Sequence, residues 1–579
     1  MLFTSYEFIV FLCALTLLYY LFPKPDRWKV LLAGSYLFYF LCGASYLLFI
    51  FLTSLTVWYA ARRIGGLLAL EKEELRRATA AFKQREEAPA DRENKENKAL
   101  LKEEKQRIKK ESEGKRKRVF YAALLLNLGI LAVCKYTNFA IVNVNALLHF
   151  FGAGRELPLQ RLLLPMGISF YTFQSVGYLI DVSREAYAPE KSFPRFALFV
   201  SFFPQLAQGP ISRYNDLSKT LYEGSDFRGR RFCFGIQRIL WGYFKKLVIA
   251  DRIVVAVNTL TQNGDTYPGA FAMVGALFYA LELYCDFTGG IDITIGVAET
   301  LGIRVKENFL RPYFSKNIKE YWNRWHISMG SWFTDYVFYP VSVAKPMLRL
   351  SKWARKRFGE GAGKRVSVYL SCLAVWLATG IWHGASWNFV VWGLGNCVVI
   401  LLSQELDPLY RRFHAWADKT RGAGKRPLAE TTAWKAVQII RTVLLMSALR
   451  MFDCYRSVPL TFRMLASVFT AGNFRALADG SLLTLGLDIK DYLVVALGAW
   501  AVLAVSLWQR TPPKEMPACK ESAEEAEWNA EGTHNVRLKL AVLPAAARFF
   551  LWYGLLLSVL IFGAYGVGYD ANQFIYTQF

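Results

Sequence analysis

The sequence predicts an all-α polytopic membrane protein, a bundle of about 10–12 membrane-spanning helices. Hydrophobic residues make up 54% of the 579 positions, and they come in long blocks with few charges. A helix needs roughly 20 apolar residues to cross a bilayer. Only helices and closed barrels can span lipid, and these blocks are too long and too uniformly apolar for barrel strands. The blocks cover residues 5–22, 28–60, 119–134, 366–382, 385–403, 490–508 and 545–565.

The charge distribution predicts how the chain lies in the membrane. The formal net charge is +24, and residues 62–118 carry 19 Lys and Arg against 12 Asp and Glu. An excess of Lys and Arg is typical of cytoplasmic loops, so we expect segment 62–118 on the cytoplasmic side of the cell (plasma or inner) membrane. The basic residues also favour contact with anionic membrane lipid. Because they flank the apolar blocks as orientation requires, nucleic acid is not an expected partner.

Composition divides the chain into five parts. Segment 62–118 is rich in helix-forming Glu, Lys, Arg and Ala, and Pro89 is expected to divide it into two arms. A solvated helical hairpin is favoured there over a partner-docking arm. The parts are residues 1–61 with N-terminal membrane helices, the charged helical insert 62–118, a core at 119–403, a polar loop at 404–433, and C-terminal membrane helices at 434–579 with a mobile loop at 511–538.

The middle of the chain differs from its two ends. Between residues 160 and 345, Gly, Pro, Gln, Asp and Arg interrupt the apolar runs. Polar groups and helix breakers at membrane depth are tolerated only where protein or a wet cavity surrounds them. We therefore expect re-entrant or interfacial helices here, and a functional cavity built from this region and the segment that follows it.

His383 is the strongest candidate for chemistry among the five histidines. It lies in VWLATGIWHGASWNFVVWG, with apolar residues on both sides and Gly380 and Gly384 close by. An ionisable residue in such a segment is a functional candidate. Burial favours the neutral imidazole, which can act as a general base on a hydroxyl or thiol. The glycines would let a substrate or another backbone approach closely. The alternative is a structural histidine that is hydrogen-bonded between helices.

His326 is the second candidate, and it lies in KEYWNRWHISMGSWFTDYVFYP. On a single helix, the aromatic residues of this segment form one stripe, with His326 at its edge. The pattern predicts an amphipathic helix at the membrane interface, and a functional histidine and a plain interfacial anchor are equally compatible with it. The stripe contains Trp322, Trp325, Met329, Trp332 and Tyr336, whereas Asn323, Arg324 and Asp335 lie off it.

Other polar residues at membrane depth are expected to be structural hydrogen-bond partners. Glu282 and Asp286 are four residues apart and share a helix face, but a catalytic carboxylate pair is less favoured than a structural role. The nine cysteines lack metal-ligand spacing and are interpreted as core residues, so no metal site is expected. The remaining polar residues of this kind are Gln174, Gln205, Asp292, Asn308 and Arg311.

A series of long motifs resembles the membrane-bound O-acyltransferase family. Within the family, the sequence is similar to the branch of the bacterial alginate O-acetyltransferase membrane subunit, and the closing FIYTQF resembles that branch's terminal motif. The motifs occur in the family's order: LPMGISFYTFQSVGYLIDV, FALFVSFFPQLAQGPISR, GYFKKLVIADR, YCDFTGGIDITIGVAETLGI, ENFLRPY, YWNRWHISMGSWFTDYVFYP and GIWHGASWNFVVWG.

The resemblance implies a helical bundle around a central tunnel, with residues 119–403 as its catalytic core. It implies catalytic histidines at the W-H-G position, His383, and at the R-W-H-I-S position, His326. It implies no bound cofactor, and acetyl-CoA or another acyl thioester as donor. The acceptor would be an extracytoplasmic polysaccharide, reached through a secreted or membrane-anchored serine-hydrolase-like transferase. Residues expected to position the donor in the tunnel are Asn323, Arg324, Trp325, Asp335, Trp382, Asp286 and Arg311.

Three positions depart from the family pattern. Val-Ser-Val-Ala-Lys follows Pro340 where Gly-Gly-Asn-Arg is common, Asn396 stands where a further histidine is frequent, and Leu-Arg-Met-Phe at 449–452 replaces a Phe-Arg-Ala pattern. The alternatives are D-alanyl transfer to teichoic acid, a transporter or flippase for a lipid-linked glycan, and a silent scaffold. The extension at 434–579 favours the alginate-like branch over D-alanyl transfer. A transporter would leave acetyl-CoA intact.

Overall fold

The computed structural model describes residues 1–86, 91–152, 154–422, 425–510 and 535–564, and all of its regular structure in these ranges is helical. The predicted break at Pro89 and the terminal FIYTQF lie outside the described residues. So does most of the loop that we expected to be mobile, although its last residues, from Asn535, begin a helix.

The helices of the N-terminal half vary widely in length. The bounds are α1 Tyr6–Leu21, α2 Arg27–Cys42, α3 Tyr46–Glu86, α4 Asp91–Phe150, α5 Ile168–Ser183, α6 Phe193–Ser201, α7 Phe203–Gln208, α8 Tyr214–Leu221, α9 Gly229–Tyr243, α10 Asp251–Gln262 and α11 Ala270–Thr300. A π-helical turn, Phe244–Ala250, joins α9 to α10.

Twelve helices follow in the described part of the C-terminal half. They are α12 Ile318–Arg324, α13 Ile327–Phe333, α14 Tyr339–Ser342, α15 Lys345–Phe358, α16 Glu360–His383, α17 Trp387–Glu405, α18 Asp407–Arg421, α19 Thr432–Tyr455, α20 Val458–Thr470, α21 Ile489–Trp508, α22 Asn535–Val542 and α23 Ala545–Phe562. A second π-helical turn, Thr334–Phe338, joins α13 to α14.

Seven helices in the described residues are long and apolar enough to cross a membrane: α3, α4, α11, α16, α17, α21 and α23. α1 and α20 are shorter apolar helices. The number is below the 10–12 spans that hydropathy predicts, because several apolar stretches of the middle region form helices of only 6 to 16 residues. The chain is a polytopic helical membrane protein, as the sequence predicts.

One compact unit comprises Leu21–Leu206 and Arg213–Gly224. α3 and α4 pack along each other in this unit, and their charged ends form the predicted helical insert, with an ion pair of 2.9 Å between Arg116 and Glu71. Gln174 donates to the backbone oxygen of Phe199 at 2.8 Å, which is the structural role that we expected for it. In its described residues, 62–86 and 91–118, the insert is therefore helical and continuous with the candidate spans in α3 and α4.

The other compact unit comprises Met1–Tyr20, Ala207–Ser212 and Ser225–Phe579, and it contains both candidate histidines. The segment 404–433, expected to be a polar loop, is mostly the helix α18. Its apolar side chains Leu409, Phe413 and Trp416 recur at helical spacing, and all three are exposed.

Two glycine pairs bring α9 and α11 into direct backbone contact within this second unit. A Cβ on Gly235 would lie 2.7 Å from the backbone oxygen of Gly296, and a Cβ on Gly242 would lie 2.6 Å from that of Gly289. The glycines are seven residues apart on each helix, so they recur on one face. Small residues at a crossing are what allow membrane helices to approach closely, and here they hold α11 at the centre of the unit.

Gly242→Ala is expected to lower the free energy of unfolding by about 1–3 kcal/mol, because the added methyl overlaps a backbone atom that cannot rotate away. Thermal unfolding in detergent would measure the loss. Gly129→Ala in α4 is the matched control, since no atom lies within 4 Å of a Cβ there. Equal stability of the two variants would contradict the close helix crossing.

Candidate active site

His383 is the last residue of α16, and it is 3% exposed. The chain then turns through Gly384 in an extended conformation, and α17 begins at Trp387. A Cβ on Gly380 would lie 2.6 Å from the backbone oxygen of Phe389, and one on Gly384 would lie 2.2 Å from the Phe389 ring. Of the two uses that we considered for these glycines, the structure supports close approach of another backbone at Gly380, whereas Gly384 makes room for the Phe389 ring.

His326 does not lie within one continuous helix, so the prediction of a single amphipathic helix through this segment was wrong. α12 ends at Arg324, Trp325 is extended, and His326 has a left-handed backbone with φ 47° and ψ 55° before α13 begins at Ile327. A non-glycine residue in this region is uncommon and strained. The stripe drawn on an unbroken helix therefore does not exist at this point.

Backbone pairing with the segment after α11 explains the break. The amide of Ile327 donates to the backbone oxygen of Asn308 at 3.0 Å, and the amide of Leu310 donates to that of Arg324 at 2.9 Å. The side-chain oxygen of buried Asn308 also accepts from the Ser328 amide at 3.0 Å and from its hydroxyl at 2.9 Å. These bonds come from distant residues, so helical periodicity cannot predict them.

Asn308→Ala is expected to destabilise the turn at His326, because the buried Ser328 donors lose their acceptor at a cost of about 1–3 kcal/mol. Thermal unfolding and any transfer activity should fall together. Asn138→Ala is a control, since its side chain makes similar bonds with Gln160 at an exposed position. An unfolding temperature equal to that of Asn138→Ala would show that Asn308 does not hold the turn.

The two histidines belong to one aromatic cluster, in which both rings contact Trp382. The Trp382 ring centroid is 5.0 Å from that of His383 and 6.1 Å from that of His326. His383 also contacts Trp392 at 4.5 Å, and His326 contacts Phe287 at 5.0 Å. Both rings are therefore shielded from bulk water by aromatic side chains.

His326 is fully buried, at 0% exposure, and lies outside the seven candidate spans. Burial, followed by the positive charge of Arg450, lowers its pKa from the ordinary 6.5 to about 3. The ring is consequently neutral at physiological pH. A neutral imidazole has one donor nitrogen and one acceptor nitrogen, so it can donate a hydrogen bond without adding a charge.

Arg450 in α19 connects the surroundings of the two histidines, and sequence reasoning gave it no role. Its guanidinium carbon lies 4.9, 5.1 and 5.6 Å from the rings of Trp392, Trp325 and Trp322, which is cation–π geometry. A buried ion pair of 2.7 Å joins it to Asp453. The available signal was an Arg with an Asp three residues later in an otherwise apolar helix.

Two buried amides fasten α17 to its neighbours. The Asn396 side-chain oxygen accepts from the Trp322 indole at 3.2 Å, and the Asn388 amide donates to the backbone oxygen of Phe452 at 3.0 Å. Asn396 is the position at which a histidine is frequent in the family. Here the amide links α17 to α12, and so it supports the tryptophans beside Arg450.

The predicted positioning residues are only partly brought together. Trp325 and Trp382 lie in the aromatic cluster, and Trp325 stacks on Tyr321 at 5.6 Å. Asn323 is exposed, and Arg324 forms an ion pair of 2.6 Å with Glu320. Asp335 is half-buried in the π-helical turn Thr334–Phe338.

Asp286 and Arg311 have different surroundings from the cluster residues. Asp286 forms a buried ion pair of 2.6 Å with Lys246, which also contacts Asp251 at 2.7 Å. Arg311 lines a cavity of about 330 Å³. No group of three His, Cys, Asp or Glu side chains in the described ranges could hold a metal ion.

These features define a class of protein: a polytopic helical membrane protein with two buried histidines in a dry aromatic site. Residues 182–447 match the membrane-bound O-acyltransferase (MBOAT) family. The match includes His326, His383, Trp382 and Trp392, and it ends just before Arg450.

Among curated relatives, the probable alginate O-acetylase AlgI of Azotobacter vinelandii is 35% identical over 270 residues, 47% of this chain and 50% of that protein. The peptidoglycan O-acetyltransferase of Helicobacter pylori is 28% identical over 319 residues, 50% of this chain and 56% of that protein. The teichoic acid D-alanyltransferase of Bacillus subtilis is 29% identical over 272 residues, 45% of this chain and 62% of that protein. The chain thus spans about half the length of the curated relatives it matches.

Proposed function

We propose that the protein is a membrane O-acyltransferase. It would take an acyl group, acetyl in the first instance, from a cytoplasmic thioester donor such as acetyl-CoA and move it across the membrane for O-acetylation of an extracytoplasmic polysaccharide. The observation that carries the proposal is the pair of buried histidines in contact with Trp382, within the part of the chain that matches the family. We also propose that the protein lies in the cell (plasma or inner) membrane, with residues 62–118 on the cytoplasmic side.

His383 is the proposed general base. Its neutral imidazole takes the proton of the acceptor hydroxyl as that oxygen attacks the thioester carbonyl. The new C–O bond forms, the C–S bond breaks, and the proton passes from the imidazole to the departing thiolate. Burial of His383 against Trp392 supports this role, because exclusion of bulk water would limit hydrolysis of the thioester.

His326 is the proposed donor to the developing oxyanion. With its pKa lowered to about 3, it is neutral and can donate one N–H to the thioester carbonyl oxygen. The left-handed turn and the Asn308 bonds fix the direction of the ring before substrate arrives. Such pre-organisation costs no rearrangement during the reaction.

Arg450 is a proposed positioning residue, because it contacts tryptophans next to both histidines. Its positive charge also favours the neutral form of His326. Trp382 is proposed to set the separation of the two imidazoles. Asn323 and Arg324, at the end of α12, precede the buried turn at His326, where they would meet the polar carrier of the thioester.

A polysaccharide acceptor and a partner transferase complete the proposal. Relatives named for alginate and peptidoglycan O-acetylation support a polysaccharide acceptor. A buried site favours delivery of the acyl group through a secreted or membrane-anchored serine-hydrolase-like transferase, because a polymer is too bulky to enter the cluster. D-alanyl transfer is the second candidate, supported by a match that covers 62% of a teichoic acid D-alanyltransferase.

Radiolabelled acetyl-CoA and a D-alanyl carrier thioester, offered separately to the purified protein with a hydroxyl-bearing polysaccharide, would test the proposal. We expect label from acetyl-CoA to reach the acceptor, alone or once the partner transferase is added. Transfer only from the D-alanyl carrier would favour the second candidate. Intact thioesters in every arm, with movement of a lipid-linked glycan between leaflets, would replace both with a transporter.

A further inference from the structure

A cavity of about 330 Å³ lies beside the candidate active site, within the same compact unit. One wall is apolar and is formed by side chains of two candidate spans, α21 and α23, including Val502, Val505, Leu551 and Leu555. Phe309, on another wall, has its ring 6.4 Å from that of His326. The volume is in the range typical of ligand pockets, roughly 300–1,000 Å³.

The opposite wall of the cavity is polar, and most of its charges are paired. Arg238 binds both Asp292 and Glu307, with 2.8 Å to the Asp292 carboxylate. Lys245 contacts Asp292 at 2.6 Å. Arg537 forms two hydrogen bonds with Glu299, at 2.6 and 2.7 Å. These basic groups are neutralised within the fold, so they offer no net charge to a ligand.

Arg311 differs from the other basic residues of the wall. Among the residues that the structure describes, no carboxylate lies within ion-pair distance of its guanidinium, and its charged neighbours are the positive Arg324 and Arg510. The backbone of Arg311 is also left-handed, with φ 51°. A half-buried positive charge without a counter-ion is costly, and an anion at this place would remove the cost.

The apolar wall shows what kind of anion fits. α21 and α23 are spans whose outer faces are largely exposed, and Leu551 both lines the cavity and is 50% exposed. In a bilayer these outer faces meet acyl chains. The occupant therefore needs an apolar chain for this wall and an anionic group for Arg311.

We propose that the cavity binds an anionic membrane lipid, with its phosphate at Arg311 and one acyl chain between α21 and α23. Both spans lie beyond residues 182–447, so the apolar wall belongs to the part of the chain outside the family match. The site is independent of the proposed transfer reaction. General attraction of basic loops to lipid is a different effect, because this site is defined by one half-buried cation, Arg311, and one cavity.

Native mass spectrometry of the full chain, released from nanodiscs of equimolar phosphatidylglycerol and phosphatidylcholine, would test the proposal. We expect one phosphatidylglycerol to be retained about tenfold in preference to phosphatidylcholine, and Arg311→Gln to abolish the preference. Arg463→Gln is the matched control, since Arg463 is exposed and pairs with Asp265 at 3.0 Å. Val505→Trp, which fills the apolar end without changing charge, should also lose the lipid. Far-UV circular dichroism verifies that each variant is folded.

Equal retention of the two lipids, or a preference unchanged in Arg311→Gln, would overturn the proposal. Two competing ligands, inorganic phosphate and coenzyme A, show whether the anionic group that binds Arg311 belongs to a lipid. Inorganic phosphate should not displace the lipid, because it lacks the chain. Displacement by coenzyme A would assign the cavity to the acyl donor and refute the lipid. Acetyl transfer measured on the wild-type preparation keeps the two proposals apart, since a wild-type protein that transfers acetyl but shows no lipid preference contradicts only the lipid site.

Discussion

His383→Ala is expected to reduce acetyl transfer by at least about a hundredfold, because the acceptor hydroxyl loses its general base. The ring lies 3% exposed between Trp382 and Trp392, where no bulk water can replace it as a proton acceptor. His383→Gln should be equally inactive, since an amide fills much of the same space but does not titrate. The measurement is label transferred from acetyl-CoA to the polysaccharide.

The control for this prediction is His149→Ala. His149 is exposed and pairs with Glu156 at 2.6 Å, so transfer should be unchanged when it is replaced. Unfolding temperatures of all three variants separate loss of chemistry from loss of structure. Wild-type transfer by a folded His383→Gln protein would remove His383 from the mechanism and leave it a structural histidine.

Arg450→Gln is expected to lower acetyl transfer by roughly ten- to a hundredfold. The guanidinium of Arg450 contacts three tryptophans, and without it these rings would shift and displace the two histidines beside them. A purely structural role would lower activity equally at every pH. A positioning role also predicts a change in the pH dependence of transfer, because the charge of Arg450 is one of the causes that hold the pKa of His326 low. The acidic limb of the pH–rate profile should therefore move to higher pH in Arg450→Gln, and less so in Arg450→Lys.

The lowered pKa of His326 also determines how the stability of the protein changes with pH. Folded His326 has a pKa of about 3 against 6.5 ordinarily, so the unfolded chain binds more protons between these values. Stability is complete above about pH 6.5 and falls as the pH is lowered toward 3. Between these pH values, the contribution of His326 to the free energy of unfolding changes by up to about 1.4 kcal/mol per pH unit. Unfolding measured over this pH range should lack that contribution in His326→Gln.

Loss of Arg450 would also leave the Asp453 carboxylate buried without its ion-pair partner, at a cost of about 3–5 kcal/mol. Arg450→Gln with Asp453→Asn removes both charges and serves as the folding control. We expect this double variant to regain stability without regaining activity. Recovery of wild-type transfer and an unmoved acidic limb would show that Arg450 acts only by holding the fold together.

Sequence patterns predicted the helical membrane fold because the apolar blocks are local features of the length that a bilayer requires. In the middle region, Gly and Pro divide the apolar stretches into short helices, such as α5, α6 and α7. Motif series and burial arguments also indicated His383 and His326. The environment of each could not be predicted, because Phe287 and Arg450 approach from distant parts of the chain.

By itself, the sequence determined the class of the protein, the helical character of the charged insert and the two candidate histidines. Each of these depends on residues that are neighbours along the chain. Only the tertiary structure decided that the helix is interrupted at His326, since Asn308 forms hydrogen bonds with the turn from a position 20 residues away from Ser328. Tertiary structure alone also placed Arg450 among three tryptophans and left Arg311 beside a cavity, because long-range packing determines which buried charges meet a counter-ion.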